Sequence, residues 1–327
     1  MTSTDRSVTF ASAGETRVAD SRSGVRADSA PPIGFRGPDG ADAATPTASR
    51  SSGPIPAHAE GPVDVSVSVV TFNTAARLLQ CLESIQDTAG QLRYEVFVVD
   101  NASSDDTDIQ IYRNFPNVRL ILNERNVGFA RANNQAILLS RGRYVFVTNP
   151  DIVVRPNALQ RMVEYLDAHP DVGVAACRLE YPDGSLQLSC RSFPTLASFL
   201  IRGLPLPERW KSESRVMRQY MLSDWDHSTA RDVDWCLGSC LLVRRETIEA
   251  VGGMDSRFFL YYEDIDWCYR IRRAGWKISY LPDVRMIHFY RRASASRVPN
   301  RLTFHHLASA AMFFAKFLHE RRLRTFW

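Results

Sequence analysis

A chain of 327 residues with 45% hydrophobic content can bury one substantial core and at most a small appended lobe. Its formal net charge of +4 is too small to mark a nucleic-acid binder, which concentrates basic residues on one face. Six scattered cysteines without a CxxC pair offer no set for tetrahedral zinc, so reduced, buried thiols are expected.

Residues 1–62 are rich in Ser, Ala, Gly, Pro, Thr, Asp and Arg and poor in large apolar side chains. Such a segment cannot bury enough surface to offset its ordering entropy, and it is expected to be disordered. The start of the chain lacks the apolar core of a signal peptide, and no stretch reaches transmembrane length. The catalytic part is therefore expected in the cytoplasm, with contact at the inner face of the membrane left open.

From Val63 the pattern changes. Residues 65–72 read as a strand, followed by a helix carrying Leu78, Leu79, Leu82 and Ile85. Further strands are expected at 94–100, 118–123, 144–148 and 172–177, with helices at about 128–139 and 157–168 between them. Short, continuously apolar strands alternating with helices indicate an α/β fold with a mostly parallel central sheet covered on both faces. Beyond Arg178 the pattern loosens. Strands are expected at 186–191, 233–236, 239–243, 277–281 and 285–288, with a helix at 261–274 and a polar stretch at 207–223. This divides residues 63–298 into a regularly alternating first half (63–178) and a looser second half (179–298), followed by an amphipathic, basic helix at 299–327.

In parallel α/β sheets ligands bind beyond the carboxyl ends of the strands. Thr71-Phe-Asn73, Asp100-Asn101 and Asn149-Pro-Asp151 all fall there. Asp100 can accept hydrogen bonds from ribose hydroxyls, or it can simply close an Asx turn. Asp151, after a ladder-ending proline, can bind Mn2+ or Mg2+ bridging two phosphates, or it can sit in a plain turn. Asn126 and Gly128 precede a helix N-terminus, a ready phosphate site. Glu263-Asp-Ile-Asp266 opens a helix between Phe258-Phe-Leu-Tyr-Tyr262 and Trp267. Helix capping accounts for some acidic residues there. Three carboxylates in four residues beside aromatics exceed that need, and Asp264 against an apolar wall would have a raised pKa suited to a general base. His288 ends an apolar strand and gains meaning only if Asp151 needs a second metal ligand, since neutral imidazole suits Mn2+.

The ordered set of segments resembles glycosyltransferase family 2. It comprises Ser68-Val-Val-Thr-Phe-Asn73, Val98-Val-Asp-Asn-Ala-Ser-Ser-Asp-Asp-Thr107, Asn123-Glu-Arg-Asn-Val-Gly-Phe-Ala-Arg-Ala-Asn-Asn134, Phe146-Val-Thr-Asn-Pro-Asp151, Gly238-Ser-Cys-Leu-Leu-Val-Arg-Arg245 and Phe258-Phe-Leu-Tyr-Tyr-Glu-Asp-Ile-Asp-Trp267. The resemblance implies the GT-A (nucleotide-diphospho-sugar transferase) fold and an inverting, metal-dependent transfer. It implies that Thr71, Asn73, Asp100, Asn101, Asn126, Gly128, Arg131 and Asn149 hold the nucleotide sugar. Asp151 and His288 would hold Mn2+ or Mg2+, Asp264 would be the base and Glu263 its acidic neighbour. Asn149 stands where the family's metal motif has its first Asp. Within the family the chain looks most like bacterial rhamnosyltransferases using dTDP-L-rhamnose, and UDP- or GDP-sugars also fit. The acceptor so implied is a polyprenyl-linked cell-wall or surface glycan. Outside the class stand a sugar-phosphate nucleotidyltransferase, which would carry a Gly-rich basic loop after the first strand, and a non-catalytic nucleotide-sugar sensor, which would lack the base.

Residues 302–318 carry Phe304, Leu307, Ala311, Phe314 and Leu318 at helical spacing, followed by Arg321, Arg322, Arg324, Phe326 and Trp327. Two readings fit: a helix packed on the core, or one lying in a membrane interface with its arginines on anionic lipid.

Overall fold

The computed structural model describes residues 61–88, 91–289 and 301–324. The expectation of disorder for the N-terminal segment falls, up to residue 60, outside the described residues. The first described stretch alternates strand and helix as its pattern requires: β1 (Val65–Thr71), α1 (Ala75–Thr88), β2 (Tyr94–Asp100), α2 (Thr107–Asn114), β3 (Arg119–Leu122), α3 (Phe129–Leu139), β4 (Tyr144–Thr148), β5 (Ile152–Val154), α4 (Ala158–Ala168) and β6 (Val172–Glu180). The second runs through β7 (Leu186–Gln187), β8 (Cys190–Arg191), α5 (Leu196–Gly203), α6 (Glu208–Glu213), α7 (Arg215–Met221), β9 (Arg231–Asp232), β10 (Trp235–Cys236), β11 (Cys240–Arg244), α8 (Arg245–Val251), α9 (Glu263–Arg273), β12 (Lys277–His288) and α10 (Arg301–Arg324).

The main sheet has the order β3-β2-β1-β4-β11-β6-β12-β5. β3, β2, β1 and β4 pair in parallel, as do β6 and β12, while β11 and β5 run against their neighbours. The sheet is mostly parallel, and β11 and β12 of the second half join it beside strands of the first. The two halves therefore share one sheet.

Both faces are covered, which is why β1 is buried along its whole length. Val65, Val67 and Val69 face Leu78, Leu82 and Ile85 of α1 and Leu159 and Met162 of α4. The other face meets α3, α8 and α9 through Val147, Val243, Ile248, Ile265 and Ile271. Small polar residues on that side of β1 serve as latches: Ser68 Oγ donates to the fully buried Asn133 Oδ1 of α3 at 2.8 Å.

Several expectations need correction. The two strands expected at 277–281 and 285–288 are one strand, β12. Its register against β6 shifts between Leu281 and Arg285, around Pro282, which has no N–H to give the ladder. The strand expected at 186–191 is two short pieces with different partners, β7 on β6 and β8 on β10. The polar stretch 207–223 folds into α6 and α7, anchored by buried Met217 and Tyr220. α2 and the three-residue β5 had no counterpart in the pattern. All six cysteines are free and buried, as the composition indicated.

The C-terminal helix packs on the core. Ala310 and Phe313 are buried, Ser309 Oγ donates to Leu260 O at 2.9 Å, and Lys316 Nζ reaches Asp266 Oδ1 at 2.5 Å. The face turned inward is not the expected stripe: Phe304, Leu307 and Ala311 are exposed. The side chains of Leu318, Arg321, Arg322 and Arg324, and residues Phe326 and Trp327, lie outside what is described. Among the described residues no helix is long and apolar enough to cross a membrane.

Candidate active site

Strand register brings the polar segments to one end of the sheet. Thr71 pairs with Asp100 at the carboxyl ends of β1 and β2. One strand over, Val69 pairs with Thr148, so Asn149-Pro-Asp151 leaves β4 at the same edge. Asn149 N donates to Ser239 O at 3.1 Å. The next residue back, Gly238, donates its N–H to Asp264 Oδ2 at 2.9 Å. A short chain of backbone contacts thus ties the start of α9 to the end of β4.

The carboxylates opening α9 divide by environment. Asp266 is buried in ion pairs with Arg270 (2.9 Å) and Lys316, and so serves the fold. Glu263 is buried, and its Oε2 has no hydrogen-bond partner. Burial, with the Asp264 charge adding to it, pushes Glu263 far above the carboxylate range, which keeps it protonated. Asp264 is half-buried, and burial raises its carboxyl too. The Gly238 and Ile265 N–H groups and the Arg191 charge act in the opposite direction. Asp264 thus has two N–H donors and a positive charge that favour its ionised form. Gly238 leaves little room for a side chain: a Cβ there would meet Asp264 Cβ at 3.1 Å and the Phe129 ring at 3.4 Å.

Backbone strain supports this helix start. Tyr261 (φ 67°) and Tyr262 (φ 68°) are both left-handed, a conformation that costs on the order of 1–3 kcal/mol for each non-glycine residue. Packing holds them there. Tyr262 contacts Phe313 at 5.6 Å and His306 at 5.4 Å between ring centroids.

Asp151 and His288 meet across the β5–β12 edge, with Nε2 to Oδ1 at 3.3 Å. His288 Nδ1 lies 2.7 Å from Gln187 Oε1. A ring N–H donated there leaves Nε2 as the lone-pair atom facing Asp151, the arrangement common in histidine metal ligands. Asp151 Oδ1 is buried without a hydrogen-bond partner. Two lone-pair atoms facing each other fit a bound cation. No group of three His, Cys, Asp or Glu residues among the described residues could hold a metal by itself.

Most of the expected nucleotide contacts are engaged within the protein. Asp100 accepts from Ser103 N at 3.2 Å and from Ser103 Oγ. Asn73 (φ 53°) ties two loops, its Oδ1 accepting from Ser104 N at 2.7 Å. Thr71 Oγ1 lies 2.9 Å from Thr74 Oγ1. Asn101 is buried, accepting from Asn123 Nδ2 at 3.0 Å and donating to Gly128 O at 3.4 Å. Asn126 Oδ1 accepts from Gly128 N at 3.0 Å, and exposed Arg131 donates to Ser256 O at 3.3 Å. Gly128 (φ 88°) does allow a close approach, but to protein: a Cβ would lie 2.5 Å from Phe259 O, which also takes the Phe129 N–H.

Gln187 and Arg191, which contact His288 and act on Asp264, were not singled out by the sequence, and Gly238 entered only as part of a matching segment. A buried polar Gln in a two-residue strand is the one available signal, because such a group needs a partner.

A mostly parallel sheet with a carboxylate–histidine pair and a buried acid pair beyond its strand ends has the architecture of a GT-A-type glycosyltransferase. The chain belongs to glycosyl transferase family 2, whose model matches residues 66–246. It is similar to the N-acetylglucosaminyl-diphospho-decaprenol L-rhamnosyltransferase of Mycobacterium tuberculosis, with 31% identity over 256 residues covering 73% of this chain and 80% of that protein. Similarity extends to rhamnosyltransferase WbbL of Escherichia coli (strain K12), with 29% identity over 50% of this chain and 61% of that one. Among solved structures it resembles GalNAc-T7 with UDP, GalNAc and Mn2+ in fold, with TM-score 0.52 and 16% identity over 71% of this chain and 45% of that one.

Proposed function

We propose that this protein is an inverting rhamnosyltransferase that moves L-rhamnose from dTDP-rhamnose to a hydroxyl of a diphosphoprenyl-linked glycan, at the cytoplasmic face of the membrane. The observation that carries the reading is the division of the α9 acid pair. Glu263 stays protonated, while Asp264, cradled by Gly238, can ionise and take the acceptor's proton. The acceptor oxygen then attacks the anomeric carbon, the bond to the nucleoside diphosphate breaks, and the configuration inverts. Asp151 and His288 would hold Mn2+ or Mg2+, which supplies charge stabilisation to the leaving diphosphate. Thr71, Asp100 and Asn149 line the nucleotide side. Asn73, Asn101, Asn126, Gly128 and Arg131 shape that side through contacts within the protein. The transferred sugar and the diphosphoprenyl-linked acceptor are those in the name of the M. tuberculosis relative, and the sugar agrees with the WbbL relative.

The test mixes protein, Mn2+, dTDP-rhamnose and N-acetylglucosaminyl-diphosphoprenol and follows the nucleotide products. Acceptor-dependent release of dTDP is expected. Pyrophosphate would indicate a nucleotidyltransferase instead, and absence of any product a sensor.

A further inference from the structure

Two arginines of the second half, Arg191 and Arg202, flank the ring of the buried Tyr220. Arg191 is the last residue of β8, and its guanidinium lies over the Trp235 ring at 5.3 Å and the Tyr220 ring at 5.7 Å. Its Nε is buried without a hydrogen-bond partner, and its charge acts on the Asp264 carboxylate. Arg202, on α5, lies over the same Tyr220 ring at 5.7 Å and donates to the Tyr220 hydroxyl at 3.3 Å. Its charge acts on Tyr262, the residue just before the acid pair. Among the described residues neither arginine forms an ion pair with a carboxylate.

Two guanidinium groups flanking one tyrosine, with a buried N–H left over, are short of an anion. Arginine's planar fork matches phosphate oxygens in pairs. The donor's diphosphate has its own place at the Asp151–His288 end, so this anion comes with the acceptor. The surrounding surface gives its chemistry. The helix that carries Arg202 turns Leu196, Leu200 and Leu204 to solvent, followed by exposed Leu206 and Trp210. Arg202 and the exposed Leu196 and Leu200 share one helix, α5, which offers charge and then apolar surface in the order of a lipid diphosphate.

We propose that Arg191 and Arg202 bind the diphosphate of the lipid-linked acceptor. They would set the glycan hydroxyl against Asp264 while the prenyl tail leaves across α5. This deepens the reading above and rests on it for the acceptor's identity.

Binding can be tested without the donor. Geranyl diphosphate and geraniol are titrated in EDTA, with tryptophan fluorescence as the readout, Trp235 lying directly under Arg191. Wild type is expected to prefer the diphosphate. Arg191→Gln and Arg202→Gln should each weaken that binding by about tenfold or more, the scale of one lost charged contact, and leave geraniol unchanged. Arg191→Lys should recover part of the loss. Retained dTDP binding in Mn2+ marks each variant as folded, and Arg202 is an exposed position whose replacement leaves the core intact. Equal affinity of wild type for both prenyl compounds, or unchanged diphosphate binding in both glutamine variants, overturns the proposal. The two failures separate cleanly. Arginine-dependent binding without dTDP release from dTDP-rhamnose overturns the rhamnosyltransferase reading alone. Transfer with an unchanged acceptor KM in both variants overturns the clamp alone.

Discussion

Residues 63–178 and residues 179–298 treat their polar side chains in opposite ways. In the first, side chains at the strand ends are tied to one another. Asn73 holds Ser104, Asn101 joins Asn123 to Gly128, and Asn126 closes on Gly128. In the second, buried polar atoms without a hydrogen bond among the described residues include those of Ser189, Arg191, His227, Ser239, Thr247 and Glu263. Asp151 Oδ1 is the matching atom of the first half, and it lies at the metal end of the cleft. An unpaired buried group costs roughly 1–3 kcal/mol, so the second half carries more of that cost than the first.

That contrast can be broken or sharpened by substitution. The largest effect is expected from Asp264→Asn, which keeps shape but removes the base. Turnover should fall roughly a hundredfold to ten-thousandfold, with dTDP binding in Mn2+ unchanged in a calorimetric titration. Near-normal turnover would remove Asp264 from the mechanism. Next is Asp151→Ala, where donor affinity in Mn2+ should drop about tenfold or more yet match wild type in EDTA. Wild-type activity indifferent to EDTA would reduce Asp151 and His288 to a structural pair.

Asn101→Ala tests the first half. It breaks a buried network and should lower stability by about 1–3 kcal/mol, read by denaturant unfolding, while the KM for donor moves little. A large KM change with unaltered stability would make Asn101 a ligand contact instead.

The smallest effect is expected at Glu263→Gln, which imitates the protonated acid. Activity should stay within about tenfold of wild type. The sign of its stability effect follows from linkage. Glu263 has a folded pKa raised above the unfolded value, so its contribution is fully present below about pH 4 and is lost as pH rises through the folded pKa. The variant should therefore melt above wild type at pH 7, with the gap closing near pH 4. A gap independent of pH would show that Glu263 is not held protonated.

Much of the first half was legible in the sequence, because continuously apolar strands such as β2 announce a sheet buried on both faces. The acid cluster that opens α9 was legible for a different reason: three acidic residues beside aromatics are conspicuous in one dimension. α5, α6 and α7 were hidden because they are short and bury few side chains, Ser198, Met217 and Tyr220 among them. Arg191 and Arg202 were hidden more deeply, since their meaning lies in the carboxylates they do not meet. Gly128 shows the limit of motif reading. Its spacing points to phosphate, yet its freedom from a Cβ serves packing against Phe259.

The central claim is that Asp264 drives a single displacement on a nucleotide-bound sugar. Its most direct test is the anomeric configuration of the product, read by NMR after wild-type transfer from dTDP-rhamnose to the diphosphoprenyl acceptor. The account predicts a linkage of configuration opposite to the donor's, formed in step with dTDP and absent in Asp264→Asn. A product that retains the donor's configuration would contradict it, because one base and one displacement cannot give retention.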